Sequence, residues 1–296
     1  MSLPRFQYHE PASLLEACQM LGVFENKSAL LAGGTDLLVK MKDRACQPEN
    51  IIALSELKEL NQIEVRETEI KIGAGCTISQ IAESVNICSA FPALVSGANH
   101  LGSPAVRNMG TIGGNIMTAS PAADLPPALI AYGARVRVKS KDQERFLPLE
   151  PFFFRPGVTH IGEDEILSDI LLEKPPEFSG AGFFKLGNRK ALQISIINGA
   201  CYLAINSKTG NIQTARIVLG AVAPTPVRAV SAEALLVGQK PCATLFQEAA
   251  IAAAKDCKPI DDLRGSAGYR KDMVGILTQR TLESAMEQIG NPKEKS

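Results

Sequence analysis

Hydrophobic and polar positions change rhythm along this chain. Up to about residue 172, short aliphatic runs alternate with stretches of helical period; beyond about 177 the apolar runs lengthen, then give way to helices. Residues 13–21 predict a short helix. Leu14, Leu15, Cys18 and Leu21 give it an apolar face, Ser13 and Glu16 fit a capping box, and Gly22 suits the position just past its end. A strand over 28–32, a helix over 37–42 and a strand over 50–54 follow. Residues 69–73 alternate as a half-exposed strand does, and Thr77-x-x-Gln80 opens a helix with a second capping box. Helices are expected over 91–101 and 125–131, with an alternating strand over 134–139. Such interleaving argues for an α+β or α/β domain.

The second half reads differently. Three β-rich stretches, 180–187, 194–206 and 212–222, include a hairpin turn at Gly210-Asn211. Helices are expected over 231–237, 243–255 and 266–289, the last carrying Met273, Ile276, Leu277, Leu282, Met286 and Ile289 on one side. This is the pattern of an antiparallel sheet covered by helices. The residues from Asn291 onward are polar and expected to fray.

Two glycine turns stand out from this pattern. One is Leu30-Leu31-Ala32-Gly33-Gly34-Thr35-Asp36; the other is Gly110-Thr111-Ile112-Gly113-Gly114-Asn115, which runs on through Ile116 and Met117 to Asp124. In each, an aliphatic run is expected to be a buried strand that breaks at paired glycines beside a threonine. Glycine allows positive φ and close backbone approach, and successive amides then form a donor array suited to phosphate. Two such turns suggest a diphosphate gripped from both sides.

Composition narrows the function. The 296 residues allow two domains or three small ones, and 31 basic against 31 acidic residues give no net charge to attract nucleic acid or a membrane surface. Neither a signal peptide nor a run of about 20 apolar residues is evident. Seven scattered cysteines form no metal-ligand spacing, so they read as reduced packing residues of a cytoplasmic protein without a metal site of its own. The dinucleotide and P-loop fingerprints are absent; Gly73-Ala74-Gly75 lacks the third glycine. His9, His100 and His160 sit in no acid–base or nucleophile motif, so no catalytic side chain is identified.

The motif set resembles the medium, FAD-carrying subunit of the molybdenum hydroxylases, the xanthine dehydrogenase and carbon monoxide dehydrogenase family. The resemblance rests on Leu30 to Leu37, on 102–108 leading into Thr111-Ile112-Gly113-Gly114-Asn115, and on 115–124. Phe184-Lys185-Leu186-x-x-Arg189 with Ile194-Ser195, and Val222 to Arg228, extend it over nearly the whole chain. It implies an α+β fold: an N-terminal FAD domain of vanillyl-alcohol-oxidase type over 1–175, with subdomains about 1–55 and 56–175. A smaller sheet-and-helix domain over 176–296 follows.

The resemblance also implies roles. Residues Leu30, Leu31, Ala32, Gly33, Gly34, Thr35 and Asp36, with Thr111, Ile112, Gly113, Gly114 and Asn115, would hold the diphosphate of non-covalent FAD. Asp124 matches a carboxylate near the adenosine ribose, the favoured role, with capping of the helix that follows as a rival that can coexist with it. Lys185 matches a lysine beside the flavin ring, its rival role being an exposed strand lysine. Leu167 matches a position touching the isoalloxazine, and Met117 with Ile116 would line the ring pocket; all three could be core. Partners would be a small iron–sulfur subunit and a large molybdopterin subunit, as a dimer of heterotrimers, with NAD⁺ a plausible acceptor. The clustered cysteines of the subfamily with an extra iron–sulfur cluster are missing. A stand-alone flavin oxidase and a non-catalytic nucleotide-binding scaffold are the alternatives. Purines, aldehydes, N-heterocycles and carbon monoxide all remain open as substrates of the complex.

Overall fold

The computed structural model describes residues 2–189 and 193–290. The chain builds three principal sheets in order. The first is parallel, with Asn50–Ala53 between Gln7–His9 and Ser28–Leu31. Helix Leu14–Phe24 covers it, burying Leu14, Ala17, Cys18 and Leu21 against Ile52 and Leu54. Ser13 caps this helix by accepting from the Glu16 amide, as expected, but the helix runs on through Gly22 and ends at Glu25, whose φ is +48°. The turn predicted at Gly22 therefore falls three residues later. An exposed glycine is tolerated within a helix whose opposite face is anchored in the core.

The second sheet is antiparallel. Ile166–Glu173 lies at its centre between Glu69–Gly73 and Arg135–Lys139, with Ile63–Val65 and Glu144–Pro148 at the edges. Helices Ile78–Glu83, Pro92–His100, Ile112–Thr118 and Pro126–Ala131 contribute to the core built on it. The capping box at Thr77 and Gln80 is present. Residues 69–73 are not half-exposed: Lys71 is 9% exposed, its Nζ 2.5 Å from Glu64 Oε1 and 3.6 Å from the fully buried Asp169. Partners on neighbouring strands let the lysine sit inside, since a buried charge is tolerated only when paired.

The third sheet, Ser179–Leu186, Ile197–Ile205, Ile212–Gly220 and Val227–Arg228, is a continuous antiparallel array. Helices Val230–Leu236, Ala243–Asp256 and Ala267–Gly290 bury one of its faces. Its other face enters the core of the second sheet: Ala181, Ala200, Tyr202 and Val218 pack with Phe91, Leu129 and Tyr132. Residues 197–204 are consequently buried on both faces and read as a continuous apolar run rather than an alternating one. The architecture is α+β as expected. The predicted fraying from Asn291 lies outside the described residues.

Candidate functional site

The two glycine segments meet. Gly33 packs so tightly on the main chain before the second segment that a Cβ there would fall 1.8 Å from the Met109 carbonyl oxygen. Gly34 adopts φ +71°, a left-handed turn that directs the chain from strand Ser28–Leu31 into helix Leu37–Lys42. Asp36 closes the junction, its Oδ2 accepting from the Thr118 hydroxyl at 2.9 Å.

The second segment is not a strand breaking into a turn. Helix Pro104–Met109 precedes it, and Ile112–Thr118 is itself a helix with Thr111 as N-cap, the Thr111 Oγ1 accepting from the Gly114 amide at 3.0 Å. Ile112 and Ile116, four residues apart and fully buried, are its core face. A short apolar run is ambiguous between strand and helix until its packing is known.

This difference redistributes the donors. In the second segment the Ile112 amide donates to Cys76 O and the Gly113 amide to Ala74 O, while the Gly114 amide is held by Thr111. In the first loop the N–H groups of residues 33–36 meet no acceptor among the described residues. Four consecutive unpaired amides in one partly covered turn are a donor array open to an anion. Across from them the buried Asn115 Oδ1 has no hydrogen-bond partner. The second segment thus keeps fewer free donors than the first: its Thr111 amide alone meets no acceptor among the described residues, and side chains make up the rest of that wall.

Two connected recesses adjoin this donor array. One, about 600 Å³, is lined by Gly34, Thr35, Asp36, Thr111, Asn115 and Asp124 among others. The other, about 480 Å³ and mainly apolar, includes Leu54, Leu60, Ala74, Ile161 and Leu167. Leu30, Ala32, Gly114 and Met117 line both, making one groove. Gly33 lines the first and Gly113 the second. Leu31, Ile112, Ile116 and Lys185 are not among the lining residues. Ile112 and Ile116 lie wholly in the core, which is why Ile116 does not join Met117 at the pocket wall. Lys40, one helical turn after Asp36, lines the groove and went unnoticed in the sequence; Ser103, the N-cap of helix Pro104–Met109, lines it too, though the sequence placed it only in the approach to the second turn. The i, i+4 spacing from Asp36 was the available signal for Lys40.

Asp124 is neither a helix cap nor a free acceptor. Leu125 occupies the cap position of helix Pro126–Ala131, and Asp124, 6% exposed, accepts from Lys185 Nζ at 2.5 Å, Ser195 Oγ at 2.8 Å and Asn198 Nδ2 at 3.0 Å. Three donors use most of a carboxylate's capacity, leaving little for a ribose diol. Lys185 is no exposed strand lysine. Its side chain is 1% exposed, and its Nζ also donates to His100 O at 2.9 Å. Lys185 thus stands behind Asp124, whereas Leu167 lines the other recess. The two positions matched to the flavin ring are parted.

The family model described as "FAD binding domain in molybdopterin dehydrogenase" matches residues 4–174, and that described as "CO dehydrogenase flavoprotein C-terminal domain" matches residues 182–285. The chain belongs to this family. It is similar to the carbon monoxide dehydrogenase medium chain of Hydrogenophaga pseudoflava, 32% identical over 95% of this chain and 97% of that one. It is 33% identical to the nicotinate dehydrogenase FAD-subunit of Eubacterium barkeri, over 96% and 97% respectively. A solved structure of the Hydrogenophaga pseudoflava carbon monoxide dehydrogenase superposes with a TM-score of 0.92 at 34% identity, covering 97% of this chain and 99% of that chain. Quinoline 2-oxidoreductase from Pseudomonas putida 86 superposes with a TM-score of 0.91 at 27% identity, covering 98% and 100%. The chain is therefore an FAD-binding oxidoreductase subunit of the molybdenum hydroxylase family. Among the described residues no group of side chains is arranged to hold a metal ion, and no helix is long and apolar enough to cross a membrane.

Proposed function

We propose that this chain is the electron-transfer flavoprotein subunit of a cytoplasmic molybdenum hydroxylase. It would assemble with a small iron–sulfur subunit and a large molybdopterin subunit as a dimer of heterotrimers. Residues 1–175 form the cofactor domain in this reading and 176–296 the C-terminal domain. The observation that carries it is the row of unpaired amides at 33–36 facing the orphaned Asn115 Oδ1, inside a groove with a recess at either end.

That donor set fits FAD. The amides of Gly33, Gly34, Thr35 and Asp36 would take the diphosphate oxygens, with the hydroxyls of Thr35 and Thr111 beside them. Asn115 would accept from a ligand donor, and Leu30, Ala32, Met117 and Leu167 would pack on flat ring faces. Leu31 and Ile112 would act by holding the backbone of the two segments in place. Asp124 and Lys185 would act as positioning residues, fixing the groove wall to the third sheet. The chemistry that bound FAD supplies is storage of two electrons, received singly from a partner's iron–sulfur centres and passed to an external acceptor such as NAD⁺.

The visible spectrum of the purified chain tests this reading, with chromatography of the released cofactor. About one FAD per chain, no iron and no activity toward organic donors is the expected result. A colourless protein that takes up no added FAD would overturn it. Covalently held flavin would instead favour the stand-alone oxidase.

A further inference from the structure

A separate cavity of about 400 Å³ adjoins the Asp124 side of the groove, sharing Ser120, Ala122 and Ile194 with it. Its charged residues come from the segment between helices Ala243–Asp256 and Ala267–Gly290, and from the start of the latter: Lys258, Asp262, Arg264 and Arg270. Three cationic side chains meet one carboxylate there.

Arg270 is the unusual member, being 3% exposed. Its Nη1 donates to Ala221 O at 2.8 Å, and its Nη2 lies 2.6 Å from Asp262 Oδ1. Its Nε, also buried, reaches no acceptor among the described residues. Arg264 shares Asp262, at 3.0 Å from Oδ2, so the single carboxylate already serves two guanidinium groups. Lys258 makes no ion pair among the described residues and stands exposed at the cavity. Positive charge is thus left over at a concave site, presented on its open side by the exposed Lys258 and Arg264. That combination suits an oxyanion with several acceptor oxygens, above all a phosphate. A volume of about 400 Å³ is within the range of small-molecule sites.

We propose that this cavity binds the phosphate-bearing portion of a nucleotide-type electron acceptor, held by Arg264 and Lys258 beside the FAD groove, with the buried Arg270 fixing Asp262 behind them. Naming the ligand an electron acceptor rests on the function proposed above; the phosphate site stands on its own residues.

The test uses the full chain saturated with FAD and titrated calorimetrically with nicotinamide mononucleotide, with nicotinamide riboside as the ligand lacking phosphate. The expected result is one mononucleotide per chain and at least about tenfold weaker binding of the riboside. Lys258→Glu and Arg264→Glu, both at exposed positions, should each weaken the mononucleotide about tenfold, with the flavin absorbance and melting temperature unchanged. Equal binding of the two ligands, or affinities untouched by both substitutions, would overturn the proposal. Inorganic phosphate, titrated into chain without FAD, separates the two readings. Phosphate binding lost in Lys258→Glu, in a protein that takes no FAD, would uphold the cavity and sink the electron-carrier reading. FAD uptake with no binding of phosphate or mononucleotide would sink the cavity alone.

Discussion

Lys185 and Asp124, 61 positions apart in sequence, form a buried ion pair that fastens the third sheet to the wall of the groove. Each charge is tolerated inside because the other is there, and because Ser195, Asn198 and His100 O complete the hydrogen bonding. Breaking such a pair from one side leaves a desolvated charge. Asp124→Ala should therefore cost about 3–5 kcal/mol, read as a lower urea midpoint with unchanged slope. Asp124→Leu combined with Lys185→Met should recover most of that loss. A double variant as unstable as the sum of the singles would show that the two residues act independently.

The contact of Gly33 with Met109 predicts a steric failure. Gly33→Ala would drive a methyl group into the Met109 carbonyl and separate the glycine loop from the helix pair behind it. The expected outcome is a loss of about 3 kcal/mol in stability and little or no retained FAD, measured by denaturation and by the ratio of flavin to protein absorbance. Full flavin content with an unchanged midpoint would refute the close-packing account.

Thr111 is predicted to matter through its hydroxyl. It caps helix Ile112–Thr118 and lines the groove. Thr111→Val should cost about 1 kcal/mol and weaken FAD, whereas Thr111→Ser should keep both properties. Equal behaviour of Val and Ser in an FAD titration would exclude the hydroxyl.

Alkaline pH should destabilise the fold through its buried thiols. Burial pushes Cys18 and Cys76 up to about 11 and Cys257 up to about 12, and raises Cys201 as well. A folded-state value above the unfolded one means that stability is intact below about 9, the ordinary thiol value here, and declines as pH rises toward 11 and 12. Denaturation midpoints measured between pH 8 and 11 should fall accordingly. At neutral pH iodoacetamide should label the exposed Cys88 and Cys242 and spare those four. Labelling of Cys76 at the rate of Cys88 would contradict the burial.

Much of this was legible in the chain itself. The capping residues Ser13 and Thr77 and the strand over 134–139 depend on neighbours a few positions away, and they fall where local chemistry puts them. Departures occur where distant partners decide. Lys71 is buried because strand register brings Glu64 and Asp169 to it, and residues 112–118 form a helix because Ile112 and Ile116 share one core.

The same division runs through the site. Sequence alone determined the glycine pair at 33–34, the threonines beside both turns and the family to which the chain belongs, since residue type and spacing carry that information. Only the tertiary structure decided which amides remain unpaired, that Asp124 is occupied by Lys185, and that Arg270 reaches the same cavity as Lys258. Each of those facts is a matter of hydrogen-bond partners or packing across large sequence separations. Those partnerships exist only once the sheets have brought the segments together.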